Sequence, residues 1–300
     1  MLAVDTTTTS GTNANTGIQR VTRELTKCLT NLCPTQPIRF DSSSKSWKIP
    51  EGKDHVRIFH QEDLKPSHRR GSRVTFWSTI KKLFNPKNSF LPSPTPLASG
   101  FIEPEIFNNQ VHHSLRTFLP RISGPSLAIY YDATPLSLPE LSTRSNTKRF
   151  PEYLLQLLQF DGVAAISESS KEELQSYWGW LGVNKYPILR AIPLGVDLAH
   201  TRSIPSFTQD QEIKILCVGS IEGRKNQLSL LKAADVLWQH GTQFKLTLVG
   251  LASRSTGWAA IRLIKDLQKK GRPLEWLGPR SEKELQHQYA KCHFTVYPSI

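Results

Sequence analysis

The chain has 300 residues, 38% of them hydrophobic and 21% charged, with 38 Lys and Arg against 25 Asp and Glu for a net charge of +13. This describes a globular chain of about two domains and excludes a disordered or collagen-like protein. No apolar run approaches the ~20 residues that span a bilayer, and Cys28, Cys33, Cys217 and Cys292 lack both disulfide-framework density and C-x-x-C spacing. The start, MLAVDTTTTSG, carries neither a basic n-region nor a long apolar h-region, so a reducing, cytoplasmic setting is expected. Residues 1–100 carry +8, 101–200 carry −2 and 201–300 carry +7. Basic lobes around a near-neutral middle suit a polyanionic partner: a nucleic acid, an anionic membrane face or a phosphorylated ligand.

In chain order, Leu2–Val4 predicts a short buried strand, followed by a polar loop of Thr, Ser, Asn and Gly over 5–16. A helix is predicted in GIQRVTRELTKCL, where Ile18, Val21, Leu25 and Leu29 recur at helical spacing with Arg and Glu opposite. Thr16 stands at the N-cap and Gly17 permits close backbone approach. Strand, small-residue loop and helix start together present backbone N–H groups to an anion. The loop is not G-x-G-x-x-G, so a dinucleotide fingerprint is missing. Residues 65–84 mix Lys65, Arg69, Arg70, Arg73, Lys81 and Lys82 with Phe76, Trp77, Ile80, Leu83 and Phe84. Such a stretch forms either a helix packed on its own domain or one lying at a lipid headgroup boundary. Residues 85–125, with their prolines, read as loop-rich. SLAIYYDATPL (126–136) is a strand running into a loop, Arg149–Phe160 a helix, GVAAIS (162–167) a strand, KEELQSYWGWL a helix capped by Ser167 or Ser169, and Leu189–Pro193 a further strand.

A polar connection over 201–212 separates the halves, and the pattern then becomes regular. IKILCVGS, FKLTLVG, LEWLG and HFTVYPS are strands, alternating with helices over 226–241, 258–271 and 281–292, the first two closed by glycine. Four strands alternating with three helices predict a parallel, doubly wound sheet. Ligands on such sheets bind at the carboxyl ends of the strands, here VGS-IEGRKN, VGLASRS, LGPRS and YPSI. In the first of these, Gly219 and Gly223 permit a tight turn around Ser220, and Arg224 and Lys225 stand at a helix start that already favours anions. Two cations there either hold a diphosphate or form an ordinary solvated surface pair.

The succession TGIQRV, YYDATPL, AAISESSKEEL, IPLGVD, ILCVGSIEGRKNQLSLLKA, LTLVG, LEWLG and ELQHQYAKCHFTVYPS resembles the retaining glycosyltransferases of family 4 over nearly the whole chain, most strongly over 162–299. The resemblance implies an α/β protein of GT-B fold: an acceptor-side Rossmann-like domain over 1–200, a linker over 201–212 and a nucleotide-sugar-binding Rossmann-like domain over 213–300, the two facing a cleft. It implies hexose transfer, with GDP-mannose as the expected donor and a polysaccharide or lipid-linked acceptor. No metal or cofactor is expected beyond the nucleotide-sugar substrate, and the chain has no D-x-D sequence. By position, Arg224 and Lys225, with Gly219 and Ser220, match the donor-diphosphate loop, and Gly17 the glycine-bearing loop that approaches the donor. Asp132 matches the aspartate beside the reacting sugar, with Tyr131 where many members carry histidine. A turn-forming role before Pro135 is the alternative for Asp132.

The family's acidic, glycine-rich segment beyond the YPS strand is not in the sequence, so the second domain is expected to be incomplete and the 1–300 chain weak or inactive in turnover. Peripheral contact with an anionic inner-membrane face is the alternative to self-packing for the basic, aromatic stretch, and no nucleic acid is expected, because no zinc-finger, RNP1 or helix-turn-helix signal occurs. The competing function is a non-catalytic binding module for an anionic ligand or partner. A nicotinamide-dependent dehydrogenase lacks its glycine pattern here.

Overall fold

The computed structural model describes residues 1–60, 98–195 and 212–300. The basic, aromatic stretch at 65–84 and the connection at 201–211 lie outside the described residues. The chain divides into two compact units, the first comprising Met1–Tyr131 and Tyr153–Pro193 and the second Asp132–Glu152 and Leu194–Ile300.

In unit one, β1 (Leu2–Asp5) leads through the single turn α1 (Thr7–Ser10) into α2 (Gly17–Leu32). β2 (Thr35–Asp41), β3 (Ser46–Lys48) and α3 (Lys53–Phe59) follow, then β4 (Gly100–Glu103) and α4 (Asn109–Phe118). β5 (Ser126–Tyr130), β6 (Gly162–Ala165), α7 (Glu168–Trp180) and β7 (Ile188–Ala191) complete the set, while α5 (Thr134–Ser137) and all but the last four residues of α6 (Arg144–Gln156) fall in the segment counted with unit two. The sheet order is β3-β2-β1-β4-β5-β6-β7, parallel throughout except for the antiparallel β2–β3 pair. Its core is aromatic: Trp47 stacks on Phe118 at 4.9 Å and Phe101 meets Phe118 edge-on at 5.3 Å. Ser167 caps α7 by accepting the Ser170 N–H at 3.0 Å.

Two local readings change. The stretch read as loop-rich contains β4 and α4, the latter capped by Asn108, which accepts the N–H groups of Gln110 and Val111. The face of α2 that goes inside is Thr22, Arg23 and Thr26, while Ile18, Val21, Leu25 and Leu29 are half-buried. The threonines tolerate burial because their hydroxyls donate one turn back, Thr22 to the Ile18 carbonyl and Thr26 to the Thr22 carbonyl.

Beneath the carboxyl ends of β1 and β4 lie three fully buried carboxyl groups, Asp5, Glu103 and Glu105. Glu105 accepts the N–H groups of Thr8 and Thr9 at 2.6 and 2.7 Å, and Asp5 accepts that of Thr7 at 2.8 Å. Burial pushes the Asp5 carboxyl up, opposed by its neighbour Glu103 and by the hydroxyl and N–H groups of Thr7. Burial, then the charge of Asp5, pushes Glu103 well above the usual carboxylate range, and the same two causes push Glu105 up to about 7.

Unit two carries β8 (Ile213–Val218), α8 (Gln227–Gln239), β9 (Phe244–Val249), α9 (Trp258–Lys269), β10 (Leu274–Trp276), α10 (Glu282–Lys291) and the two-residue β11 (Phe294–Thr295). All pairings are parallel in the order β10-β9-β8-β11, as the alternating pattern predicts. Leu231, Ala234 and Trp238 of α8 and Ile264 and Leu267 of α9 pack with Leu246 and Leu248 of β9. The Trp238 indole N–H donates to the Phe244 carbonyl at 3.0 Å. α10 starts on a reciprocal capping box between Ser281 and Glu284.

The strand ends of unit two come very close. Gly219 and Gly250 have φ of +151° and +150°, and a Cβ on Gly250 would stand 1.9 Å from the Gly219 carbonyl oxygen. Gly250→Ala is therefore expected to cost about 3 kcal/mol or more, from left-handed strain plus the clash, read as a lower melting temperature. Glu105 gives a pH prediction. A carboxyl that keeps its proton to about pH 7 when folded, but only to the ordinary 4.5 when unfolded, binds more protons in the native state between those values. The contribution of Glu105 to stability should fall as pH rises across that interval and level off above 7. Glu105→Gln should flatten the slope in denaturant titrations at pH 4.5 and 8.

Candidate functional site

The loop between β8 and α8 is built from the backbone outward. Gly219 donates its N–H to the Val249 carbonyl at 2.8 Å, and Ile221 and Ala252 form a parallel bridge that ties the loop to its neighbour after β9. Residues Gly223–Lys225 make a 3-10 turn, after which Asn226, at φ +52°, swings the chain into α8. The left-handed turn residue is thus Asn226. Gly223 has an ordinary backbone, and its missing side chain makes room for Leu141, which a Cβ would approach to 3.1 Å. Gln227, fully buried, reaches back into the loop. Its side-chain N–H donates to the Ser220 carbonyl at 2.8 Å and its side-chain oxygen accepts the Glu222 N–H at 3.4 Å. Sequence reasoning missed Gln227, because a glutamine at a helix start carries no periodic signal.

The two cations of the loop are held differently. The Arg224 guanidinium pairs with the Glu222 carboxylate at 3.0 Å. Lys225 makes no ion pair among the described residues. It is half-buried, and its ammonium lies 5.4 Å above the Tyr297 ring. Loss of water contact, then the adjacent Arg224 charge, lowers its pKa, opposed by Glu222, Asp132 and Cys217. A partly desolvated ammonium under neighbouring positive charge gains more from an incoming anion than a solvated one. The tail of unit two fixes the ring below it: Val296 donates to the Leu216 carbonyl at 2.9 Å and Ile300 to the Arg224 carbonyl at 3.0 Å.

Asp132, also within unit two, accepts the Thr134 N–H at 3.0 Å and so forms the turn that starts α5, while its carboxylate acts electrostatically on Lys225. In unit one, Tyr131 is buried, and its hydroxyl donates to the Pro104 carbonyl at 2.8 Å, while the Ser170 hydroxyl donates to its carbonyl at 2.6 Å. Burial, with the charges of Glu105 and Glu103, pushes the phenol pKa up. Tyr131 thus anchors the end of β5.

Gly17 opens α2 in unit one, exposed and with nothing within 4 Å of where a Cβ would stand. Thr16 occupies the N-cap with extended backbone but makes no side-chain cap; its hydroxyl pairs with the Gln19 side chain instead. Among the described residues the N–H groups of Gly17, Ile18 and Gln19 have no protein acceptor, the first bond of the helix being Arg20 N–H to the Thr16 carbonyl at 2.9 Å. Among the described residues no group of three His, Cys, Asp or Glu side chains is placed to hold a metal ion, and no helix is long and apolar enough to cross a membrane.

No family model matches the chain. By sequence it is 24% identical, over 81% of its length, to the serotype-specific mannosyltransferase WbdA of Escherichia coli, and 26% identical over 57% to another WbdA sequence of that organism. The chain spans about a third or less of the length of these curated relatives. Among solved structures, 99% of the chain superposes on 75% of sucrose-phosphate synthase from Thermosynechococcus elongatus with a TM-score of 0.59 at 17% identity. It superposes on 73% of the lipopolysaccharide outer core galactosyltransferase WaaB with a TM-score of 0.55 at 13% identity. Anabaena HepE, solved with UDP and glucose, gives 0.53 at 12% identity over 74% of its chain. The two α/β units are those of the GT-B fold, and the relatives of the chain are glycosyltransferases.

Proposed function

We propose that the chain is a retaining glycosyltransferase of the family-4 kind, moving a hexose from a nucleotide-sugar donor to a polysaccharide or lipid-linked acceptor. Mannose, carried by GDP, is the proposed sugar, because the relatives by sequence are mannosyltransferases. The observation that carries this reading is Lys225: a half-buried ammonium without a carboxylate partner among the described residues, at the carboxyl end of β8, where ligands of parallel α/β sheets bind. Lys225 is assigned to the donor diphosphate. Arg224 assists once the diphosphate draws it from Glu222, and the Gly219–Ser220 backbone lines the same loop. Gly17 is assigned to the donor through the open amides at the start of α2.

In the proposed reaction the bond between the anomeric carbon and the phosphate oxygen breaks, leaving an oxocarbenium-like sugar and a nucleoside diphosphate with an added negative charge. Lys225 and Arg224 stabilise that charge. The acceptor hydroxyl attacks the face the phosphate has left, its oxygen bonds to the anomeric carbon, and its proton passes to the departing phosphate. Asp132, held by its turn, is assigned to the sugar side of this centre, and Tyr131 to fixing the backbone from which Asp132 emerges.

Calorimetry with GDP-mannose and with GDP tests the assignment. The wild-type chain should bind both, with a donor-dependent rise in melting temperature. Lys225→Met should weaken binding by about tenfold or more while leaving the unliganded melting temperature near wild type. Arg224→Met should weaken it less, because Glu222 already shares that charge. Equal binding by the Lys225 variant, or none by wild type at millimolar ligand, would overturn the reading.

A further inference from the structure

The β1–α2 connection, residues 6–16, reads TTTTSGTNANT. Connections of this kind are usually 2–6 residues long, and one made of threonine, serine, asparagine and glycine with a single alanine has almost no apolar side chain with which to hold a shape. Yet it is fastened from beneath and from the side. Arg23, in the second turn of α2, is only 1% exposed, and its guanidinium faces the loop. Nη1 donates to the Ala14 carbonyl at 3.0 Å and to the Asn15 side-chain oxygen at 2.9 Å, and Nη2 donates to the Thr12 carbonyl at 3.2 Å. Nε donates to the Arg57 carbonyl at 2.7 Å, which joins α2 to α3. Arg57 in turn donates to the Asn13 side chain at 2.8 Å and to the Ser10 carbonyl at 3.1 Å, with Asp54 balancing its charge at 2.8 Å. Two guanidinium groups thus take up backbone or side-chain oxygens of Ser10, Thr12, Asn13, Ala14 and Asn15, ending two residues before Gly17.

We infer that Arg23 is a positioning residue for the donor: by gathering the Thr12–Asn15 acceptors on one buried guanidinium, it holds Gly17 and the first turn of α2 in the single arrangement that donor contact requires. This rests on the assignment of Gly17 to the donor. The planar fork explains why arginine stands here. It reaches three loop acceptors and one helix-end carbonyl at once, whereas a lysine ammonium has three donors and no fixed plane. Arg23 itself is closed to an anion, since it is buried and its donors are taken up by the loop and by the Arg57 carbonyl.

The test uses Arg23→Lys and the milder Asn15→Ala, which removes one of the four contacts. Amide hydrogen exchange over 11–19 is compared with that over the β1 and β4 strands, alongside calorimetry with GDP-mannose. In Arg23→Lys, exchange over 11–19 should rise about tenfold or more with the strands still protected, and donor affinity should fall about tenfold. Asn15→Ala should move both readouts the same way by a smaller step, and decides the matter if the lysine variant does not fold. Loop exchange unchanged in the folded variant, or loosened exchange with wild-type affinity, would overturn the inference alone. A wild-type chain that binds no nucleotide-sugar would overturn it together with the functional reading.

Discussion

A guanidinium can be buried only if acceptors are brought to it, and Arg23 draws them from a stretch of chain that would otherwise have no reason to hold still. Leaving such a group unpaired would cost several kcal/mol, far more than the net gain from any one of its hydrogen bonds. The loop is therefore fixed by what its disorder would cost the helix beside it. The buried carboxyl groups act in the same sense from below. Glu105 receives the amides of Thr8 and Thr9, and Asp5 that of Thr7, so the donors left over at the start of α1 are met by charge-bearing groups that themselves need donors. A buried guanidinium and buried carboxyl groups thus flank one polar segment, and both are bonded by its backbone.

Unit two reaches the same end with a neutral group. Gln227 reaches back from the first residue of α8 to Ser220 and Glu222, as Arg23 reaches back from α2 to Thr12 and Ala14. In both units the helix that follows the first strand carries a buried polar side chain turned onto its own preceding loop. Such an arrangement ties loop geometry to the packing of a helix, which is more rigid than a surface turn held by water. The difference lies in what is left exposed. In unit one the loop ends on bare amides at Gly17. In unit two it ends on a cation at Lys225.

Unit two was the more readable part of the chain because α8 and α9 bury apolar faces of the expected period against β9, and because Gly241 and Gly271 stand just past the ends of those helices. Unit one was less so where burial is polar. The period of Ile18, Val21, Leu25 and Leu29 correctly marks a helix but misidentifies its inner face, since threonines that bond within the helix can be buried without an external partner. β4 is four residues long, ends on a buried glutamate and sits in a proline-rich stretch, so nothing local distinguishes it from loop. Asp5, Glu103, Arg23 and Gln227 share one difficulty: a charged or amide side chain reads as surface until the fold supplies its partners. Arg224 and Lys225 were visible as a pair, but their inequality was not, because Glu222 and Tyr297 enter it only through geometry.

That inequality bears on chemistry. Under the proposed reading, a site that binds a diphosphate and then meets its growing charge needs one cation whose field is already available and gains little from two that are equally neutralised. Glu222 at 3.0 Å cancels much of the Arg224 charge at the loop, so an anion arriving there must first compete with a carboxylate. Lys225 is set against a ring face, where attraction is worth only about 0.5–1 kcal/mol and is readily exchanged for a phosphate oxygen. Burial and the neighbouring arginine raise the free energy of the unliganded ammonium. An anion relieves that strain in proportion to the negative charge it delivers, so in the proposed reaction the loop would favour the more highly charged leaving group over the intact donor. A preference of that sign lowers a barrier rather than merely deepening a well.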